Sequence, residues 1–187
     1  ELRFRRVFLL GPDTGQDIGG RFSALSYFGL VPAALLGLQL DTLIERGREM
    51  LARCGPGSPA HDNPALRLGA ALGTLAEAGR DKVTFLFPAA LSSFGAWLEQ
   101  LIAESTGKQG KGVAPVVGEP LLEPARYSPD RLFIELQLSG EPDSGLDRHV
   151  GALAGLGHPV IRIRLRDRYD LGGEAVKWSL ATTVAGG

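Results

Sequence analysis

The sequence predicts an α/β fold, a three-layer sandwich in which a mostly parallel, doubly wound sheet is covered by helices on both faces. Two observations carry this. Short runs rich in β-branched and aromatic residues, such as "KVTFLFP" (Lys82 to Pro88) and "RLFIELQL", alternate with longer helical patterns, and such alternation implies parallel strands joined by crossover helices. The chain also begins with a buried-strand run, "RRVFLL" (Arg5 to Leu10), whose loop "GPDTGQDIGG" delivers the chain to a helix starting near Gly20.

The elements follow in order. "FGLVPAALLGLQL" (Phe28 to Leu40) reads as a buried helix kinked at Pro32, because it falls well short of the ~20 residues that a membrane span needs. "DTLIERGREMLARC" takes Asp41 as its N-cap and Gly55 as its stop. "NPALRLGAALGTLAEAGR" has Asn63 as cap, Pro64 at the first helical position and Gly79 at the end. After the strand at Lys82 comes a helix from about Ser92 to Ser105. The glycine- and proline-rich stretch from Lys108 to Pro129 wraps the surface, with "APVV" as a short strand. "RLFIELQL" is a strand, "GLDRHVGALAGLG" a helix, "HPVIRIRL" a strand and "LGGEAVKWSLATTVAGG" a last helix. Within "VIRIRLRDR", Ile161, Ile163 and Leu165 alternate with Arg162, Arg164 and Arg166, so the arginines share one face, as on a solvated or edge strand. No internal repeat or low-complexity tract interrupts the pattern.

Composition narrows the function classes. With 187 residues and 44% hydrophobic content the chain can bury a core. Its 20 Lys and Arg nearly balance 21 Asp and Glu, for a net charge of −1. There is no global field for a nucleic acid or a membrane surface, so neither is an expected partner, and any anion must be held by a local cluster. The single cysteine, Cys54, cannot form an intrachain disulfide, which points to a reducing, cytoplasmic setting.

Four constellations remain. On the helix before "TGKQGKG", Phe94, Leu98, Leu101 and Ser105 share a face, while Gln100 and Glu104 lie four apart on the adjoining flank beside Trp97. Glu104 thus sits at the edge of the apolar stripe, where partial burial would make it a useful proton acceptor. It also sits in the last turn, facing the negative end of the helix dipole. Either Lys108 and Lys111 balance its charge on a solvated flank, or the site needs a base. In "DIGGRFS", two glycines leave backbone N–H groups accessible and Arg21 adds a planar guanidinium, a combination suited to an oxyanion or phosphate as well as to a plain turn. His61 and His158 fall at a loop and a strand start. His149, after "GLDR", is a helix-face histidine that needs a second feature to acquire a role. The arginine face of the last strand is the fourth.

"IGGRFSALSYFGL" and "EQLIAESTGK", in this order, resemble the Gly-Gly-Arg-aromatic-Ser and Gln-x-x-x-Glu-Ser-x-Gly-Lys motifs of the phosphoglucose isomerase family. The block "SFGAWLEQLIAESTGKQGKG" is most similar to the isomerase half of bacterial bifunctional transaldolase/phosphoglucose isomerases. The resemblance implies a sugar isomerase (SIS) fold, with residues 1–80 as the tail of a first SIS lobe and 81–187 as most of a second. It implies interconversion of glucose 6-phosphate and fructose 6-phosphate through a cis-enediolate, with no metal and no cofactor. Glu104 would be the base, Arg21 would stabilise the enediolate, and His149 would assist ring opening from the neighbouring subunit of a homodimer with a shared site. Gly20, Gln100, Ser105 and Lys108 would contact the sugar phosphate. The family's Ser/Thr-rich phosphate loop has no counterpart before Gly19, its catalytic lysine would fall beyond Gly187, and Lys177 stands in the wrong context to replace it. Either the chain is part of a longer polypeptide, or it is a sugar-phosphate-binding module without turnover. A mannose 6-phosphate isomerase of the same fold is a further alternative.

Overall fold

The computed structural model describes residues 18–108 and 110–186. The expected strand at Arg5 to Leu10 and most of its loop lie outside the described residues. A 3-10 turn at Gly20–Phe22 leads to three helices, α1 (Tyr27–Leu35), α2 (Leu40–Cys54) and α3 (Pro64–Glu77). Then β1 (Lys82–Leu86), α4 (Ser92–Thr106), β2 (Ala114–Val116), β3 (Arg131–Leu138), α5 (Ser144–Gly155), β4 (Val160–Leu165) and α6 (Leu171–Ala185) follow.

The four strands form one parallel sheet in the order β2-β1-β3-β4. From β1 the chain crosses outward through α4 to β2, then returns past β1 to begin β3, so the winding reverses between β1 and β3. Alternation along β3 separates the two faces. Leu132, Ile134, Leu136 and Leu138 point towards α3, α4 and α6, where Leu72, Leu98, Leu101, Ile102 and Trp178 complete the larger core. Phe133 points the other way and packs with Tyr127 and with Leu146, Val150 and Leu153 of α5. Each fully buried Leu, Ile or Phe contributes about 1.5–3 kcal/mol, so the α3/α4/α6 layer dominates stability. Trp178 of α6 is fully buried and meets Phe85 edge-on at 5.5 Å.

Close helix approach is built from glycines. A Cβ on Gly69 of α3 would lie 2.6 Å from the Ala181 carbonyl oxygen of α6. One on Gly172 of α6 would collide with the Leu43 carbonyl of α2. Local signals explain the helix ends. The Asn63 side chain accepts from the N–H of Ala65 and Leu66, with Pro64 at the first turn, and the chain leaves α3 through Gly79 at φ +82°. Asp143 caps α5 in the same way, through Gly145 and Leu146.

Three expectations are corrected. The helix expected near Gly20 is a 3-10 turn, and α1 begins only at Tyr27, where the Ser26 side chain caps it. The run from Phe28 forms a helix with Pro32 inside it, but none of its residues is buried. Phe28, Leu35 and Leu36 are 73%, 84% and 80% exposed, because no layer among the described residues covers that face. Asp41 is not a cap: the cap position falls two residues earlier, at Gln39, and Asp41 sits in the first turn of α2, where a carboxylate complements the helix dipole. The arginine face of β4 is as expected for an edge strand. Arg162 pairs with Glu135 at 2.8 Å, Arg164 with Gln137 at 3.0 Å, and Arg166, just beyond the strand, with Asp170 and Glu49.

Candidate active site

Because α4 runs antiparallel to the strands it connects, its last turn lies at the amino edge of the sheet. The helix ends there for local reasons. A Cβ on Gly107 would lie 2.7 Å from the Ala103 carbonyl oxygen. Thr106 turns its hydroxyl to the Ile102 carbonyl at 2.8 Å and accepts the Val113 N–H at 3.0 Å, which ties the helix end to the start of β2. Glu104 and Ser105 are presented on this turn, and Gln100 one turn before it.

The 3-10 turn at Gly20–Phe22 is folded against the same end of α4. Its carbonyl at Gly20 accepts from the Ser23 N–H at 3.1 Å and from the Ser23 hydroxyl at 2.7 Å. Trp97 of α4 donates its indole N–H to the Arg21 carbonyl at 2.9 Å, fixing the turn to the helix. The Arg21 side chain then reaches across. Its Nε donates to Ser105 Oγ at 3.1 Å, and a terminal nitrogen donates to Glu104 Oε2 at 3.1 Å. The guanidinium lies over the Phe22 ring at 4.9 Å, a further attraction for the cation. Gln100 Nε2 donates to the other carboxylate oxygen of Glu104 at 3.2 Å. A Cβ on Gly20 would stand 3.8 Å from that same Gln100 nitrogen, so Gly20 borders the group.

The carboxylate is therefore held at both oxygens, and among the described residues Arg21 spends two of its five N–H donors, leaving the rest for a ligand. The side chains of Arg21 and Glu104 are 30% and 48% exposed. Glu104 is thus more open than its place at the edge of the apolar stripe suggests, because nothing among the described residues packs over the end of α4 on that side. The cation beside Glu104 is Arg21, recruited from a segment 83 residues away. Lys108 and Lys111, one of the two reasons offered for a carboxylate there, bridge to each other through their backbones and are exposed.

His149 is not brought to this group. It lies on α5, on the opposite face of the sheet, with its ring 6.2 Å from that of Tyr127 and its Nε2 buried without a partner. Lys177 is buried on α6 in an ion pair with Glu174 at 2.6 Å. The sequence reading misses the Trp97 bond and the Phe22 ring. Their signals are an aromatic three residues before Gln100 and one directly after Arg21. Among the described residues, no group of three or more His, Cys, Asp or Glu side chains is placed to hold a metal ion, and no helix is long and apolar enough to cross a membrane.

A carboxylate beside a guanidinium, each already oriented, can move a proton next to a carbonyl and steady the oxygen that becomes negative. Comparison with known proteins points the same way. No family profile matches the chain. Over 102 residues it is 43% identical to a probable glucose-6-phosphate isomerase of Haloarcula marismortui, covering 54% of this chain and 23% of that protein. It is 39% identical over 102 residues to the glucose-6-phosphate isomerase of Rubrobacter xylanophilus, covering 53% and 23%. The corresponding enzyme of Lactobacillus gasseri is 35% identical over 100 residues, covering 54% and 22%. The chain thus spans about a quarter of the length of the curated relatives it matches. A crystal structure of a hypothetical protein from Thermus thermophilus superposes with a TM-score of 0.79 at 23% identity, over 91% of this chain and 50% of that one, and shares its fold.

Proposed function

We propose that the protein to which this chain belongs interconverts glucose 6-phosphate and fructose 6-phosphate, and that the chain supplies the proton-transfer half of the site. What carries the reading is the meeting of Glu104 and Arg21, 83 residues apart, in one ion pair flanked by Gln100 and Ser105. The homology to glucose-6-phosphate isomerases over about half of the chain supports it.

In this reading Glu104 removes the C2 proton of the open-chain aldose and returns it at C1, while the O2 hydroxyl proton passes to O1. Charge that builds on the enediolate oxygens is met by the free N–H groups of Arg21. The sugar breaks the Arg21–Glu104 contact by inserting between the two groups, which a half-exposed pair allows. In the same reading Gly20, Gln100, Ser105 and Lys108 would contact the sugar phosphate. The rest of the protein supplies the cover that desolvates the site, so the division into a first lobe to residue 80 and a second from 81 is part of the proposal. So are a cytoplasmic location, a transaldolase domain on the same polypeptide, and a homodimer whose neighbouring chain lends His149.

The test is Arg21→Lys in the intact protein. Lysine keeps the charge but lacks the planar fork, so kcat is expected to fall by more than KM rises, the pattern of a contact made mainly in the transition state. A variant with raised KM and unchanged kcat would reassign Arg21 to ground-state binding of the phosphate.

A further inference from the structure

At the carboxyl end of β3, beside Pro88 just beyond β1 and at the opposite edge of the sheet from Arg21 and Glu104, lies an open cleft of about 490 Å³. This is where the winding reverses, and open α/β sheets take ligands in the crevice at that point. The volume is that of a small-molecule site. Pro88, Leu138 and Leu146 give it an apolar wall.

Its polar side is acidic. Glu135, in the middle of β3, is 1% exposed and yet lines the cavity. Its Oε2 accepts from Arg162 Nε at 2.8 Å. The Asp147 carboxylate of α5 lines the same cavity, and its Oδ1 accepts from Gln137 Nε2 at 2.9 Å. Gln137 in turn accepts from Arg164 Nε at 3.0 Å. Two neighbouring carboxyl groups at one cavity wall repel unless a proton or a cation lies between them. Burial, the largest effect, and then Asp147 hold the Glu135 carboxyl above its usual range against the pull of Arg162. The lining is acidic on balance, with Arg164, its Nε given to Gln137, set against Glu135, Glu141, Asp143 and Asp147. The first free N–H groups of α5, at Gly145 and Leu146, are taken by Asp143 Oδ1 at 3.0 Å each, and Glu141 adds a further negative charge to the lining.

We infer that this cavity is a second ligand site, separate from the Arg21–Glu104 cluster, for a small organic cation: a primary amine whose ammonium sits between Glu135 and Asp147 and whose hydrocarbon body lies on Leu138 and Leu146. An ammonium there meets the ionised form of Glu135, whose carboxyl burial holds above its usual range, so affinity rises with pH. The inference stands apart from the proposed isomerisation, since no residue of the cavity belongs to that cluster.

The experiment is an amide NMR titration of the intact protein with n-butylamine, with inorganic phosphate in parallel. Saturable shifts gathered on residues 139–147, and a roughly tenfold weaker affinity in Asp147→Asn, are expected for the loss of one charged contact. Asp147 is exposed, so that variant should keep the wild-type unfolding midpoint, and Glu135→Gln, which still accepts from Arg162, provides an independent second loss. Unsaturable shifts scattered over surface carboxylates, phosphate shifting the same amides as strongly, or wild-type affinity in Asp147→Asn would each overturn the inference.

Discussion

Two acid–base pairs in this chain are built in opposite ways. Glu174 and Lys177 are neighbours on one turn of α6, with side chains only 4% and 10% exposed, and Trp178 donates its indole N–H to the second carboxylate oxygen at 3.0 Å. Glu104 and Arg21 come from segments 83 residues apart and stay about half and one-third exposed. The first pair is closed: both carboxylate oxygens are engaged by the same helix, and both side chains are almost wholly buried. The second is open, with guanidinium donors unspent and a carboxylate facing water. Similar chemistry thus serves packing in one place and is available for reaction in the other. What separates them is the cover over each pair.

The largest effect should come from breaking the closed pair. Lys177→Ala leaves the Glu174 carboxylate buried without its cation, which costs about 3–5 kcal/mol, to be read from urea unfolding. Replacing both partners by apolar residues of similar size, Glu174→Leu with Lys177→Met, should recover most of that loss. A loss below about 1 kcal/mol in Lys177→Ala would erase the contrast between the pairs.

His158 lies between the two extremes, and its effect should be intermediate. Its Nδ1 is buried without a partner, and the ring meets Phe133 edge-on at 5.2 Å. Burial first, then the charges of Arg80 and Arg131, hold the imidazole below its ordinary value. The native state therefore favours the neutral ring, while the unfolded chain takes up a proton near pH ~6.5. Stability from this group is full above that pH and is lost as pH falls through it towards the lower native value. The unfolding midpoint of the wild type should drop on acidification from about pH 7 to about pH 5 by more than that of His158→Phe. Equal drops would remove His158 from the account.

The smallest effect belongs to the open pair. Glu104→Gln should change stability by less than about 1 kcal/mol, because an exposed ion pair gains little over its solvated parts. Unfolding of the variant and the wild type side by side sharpens the comparison with Lys177→Ala.

Particular residues show why part of this is legible in the sequence. Alternation in "RLFIELQL" and the Asn63-Pro64 start of α3 are local signals, and the strand and the helix appear where those signals place them. The spacing of Gln100 and Glu104 puts both on one helix flank, and the structure joins them by a hydrogen bond. Cover is not local. Nothing in "FGLVPAALL" tells whether a layer lies over it, and α1 stands uncovered among the described residues. The same gap leads to an expected burial for Glu104 that its 48% exposure does not meet. Lys177 stands in the wrong context for the family's catalytic lysine, yet the spacing of Glu174 and Lys177, one helical turn apart, already announces their pairing. A glutamate in the middle of an apolar strand, Glu135, is a further signal that periodicity alone leaves unread.

The central claim is that Glu104 is the base of an aldose–ketose isomerisation. Its most direct test is the exchange of the C2 proton of glucose 6-phosphate with deuterium from solvent, followed by NMR on the intact protein and its Glu104→Gln variant. The account predicts that exchange in the variant falls by at least about 10²-fold while sugar-phosphate binding and the unfolding midpoint hold. Exchange at close to the wild-type rate would contradict it.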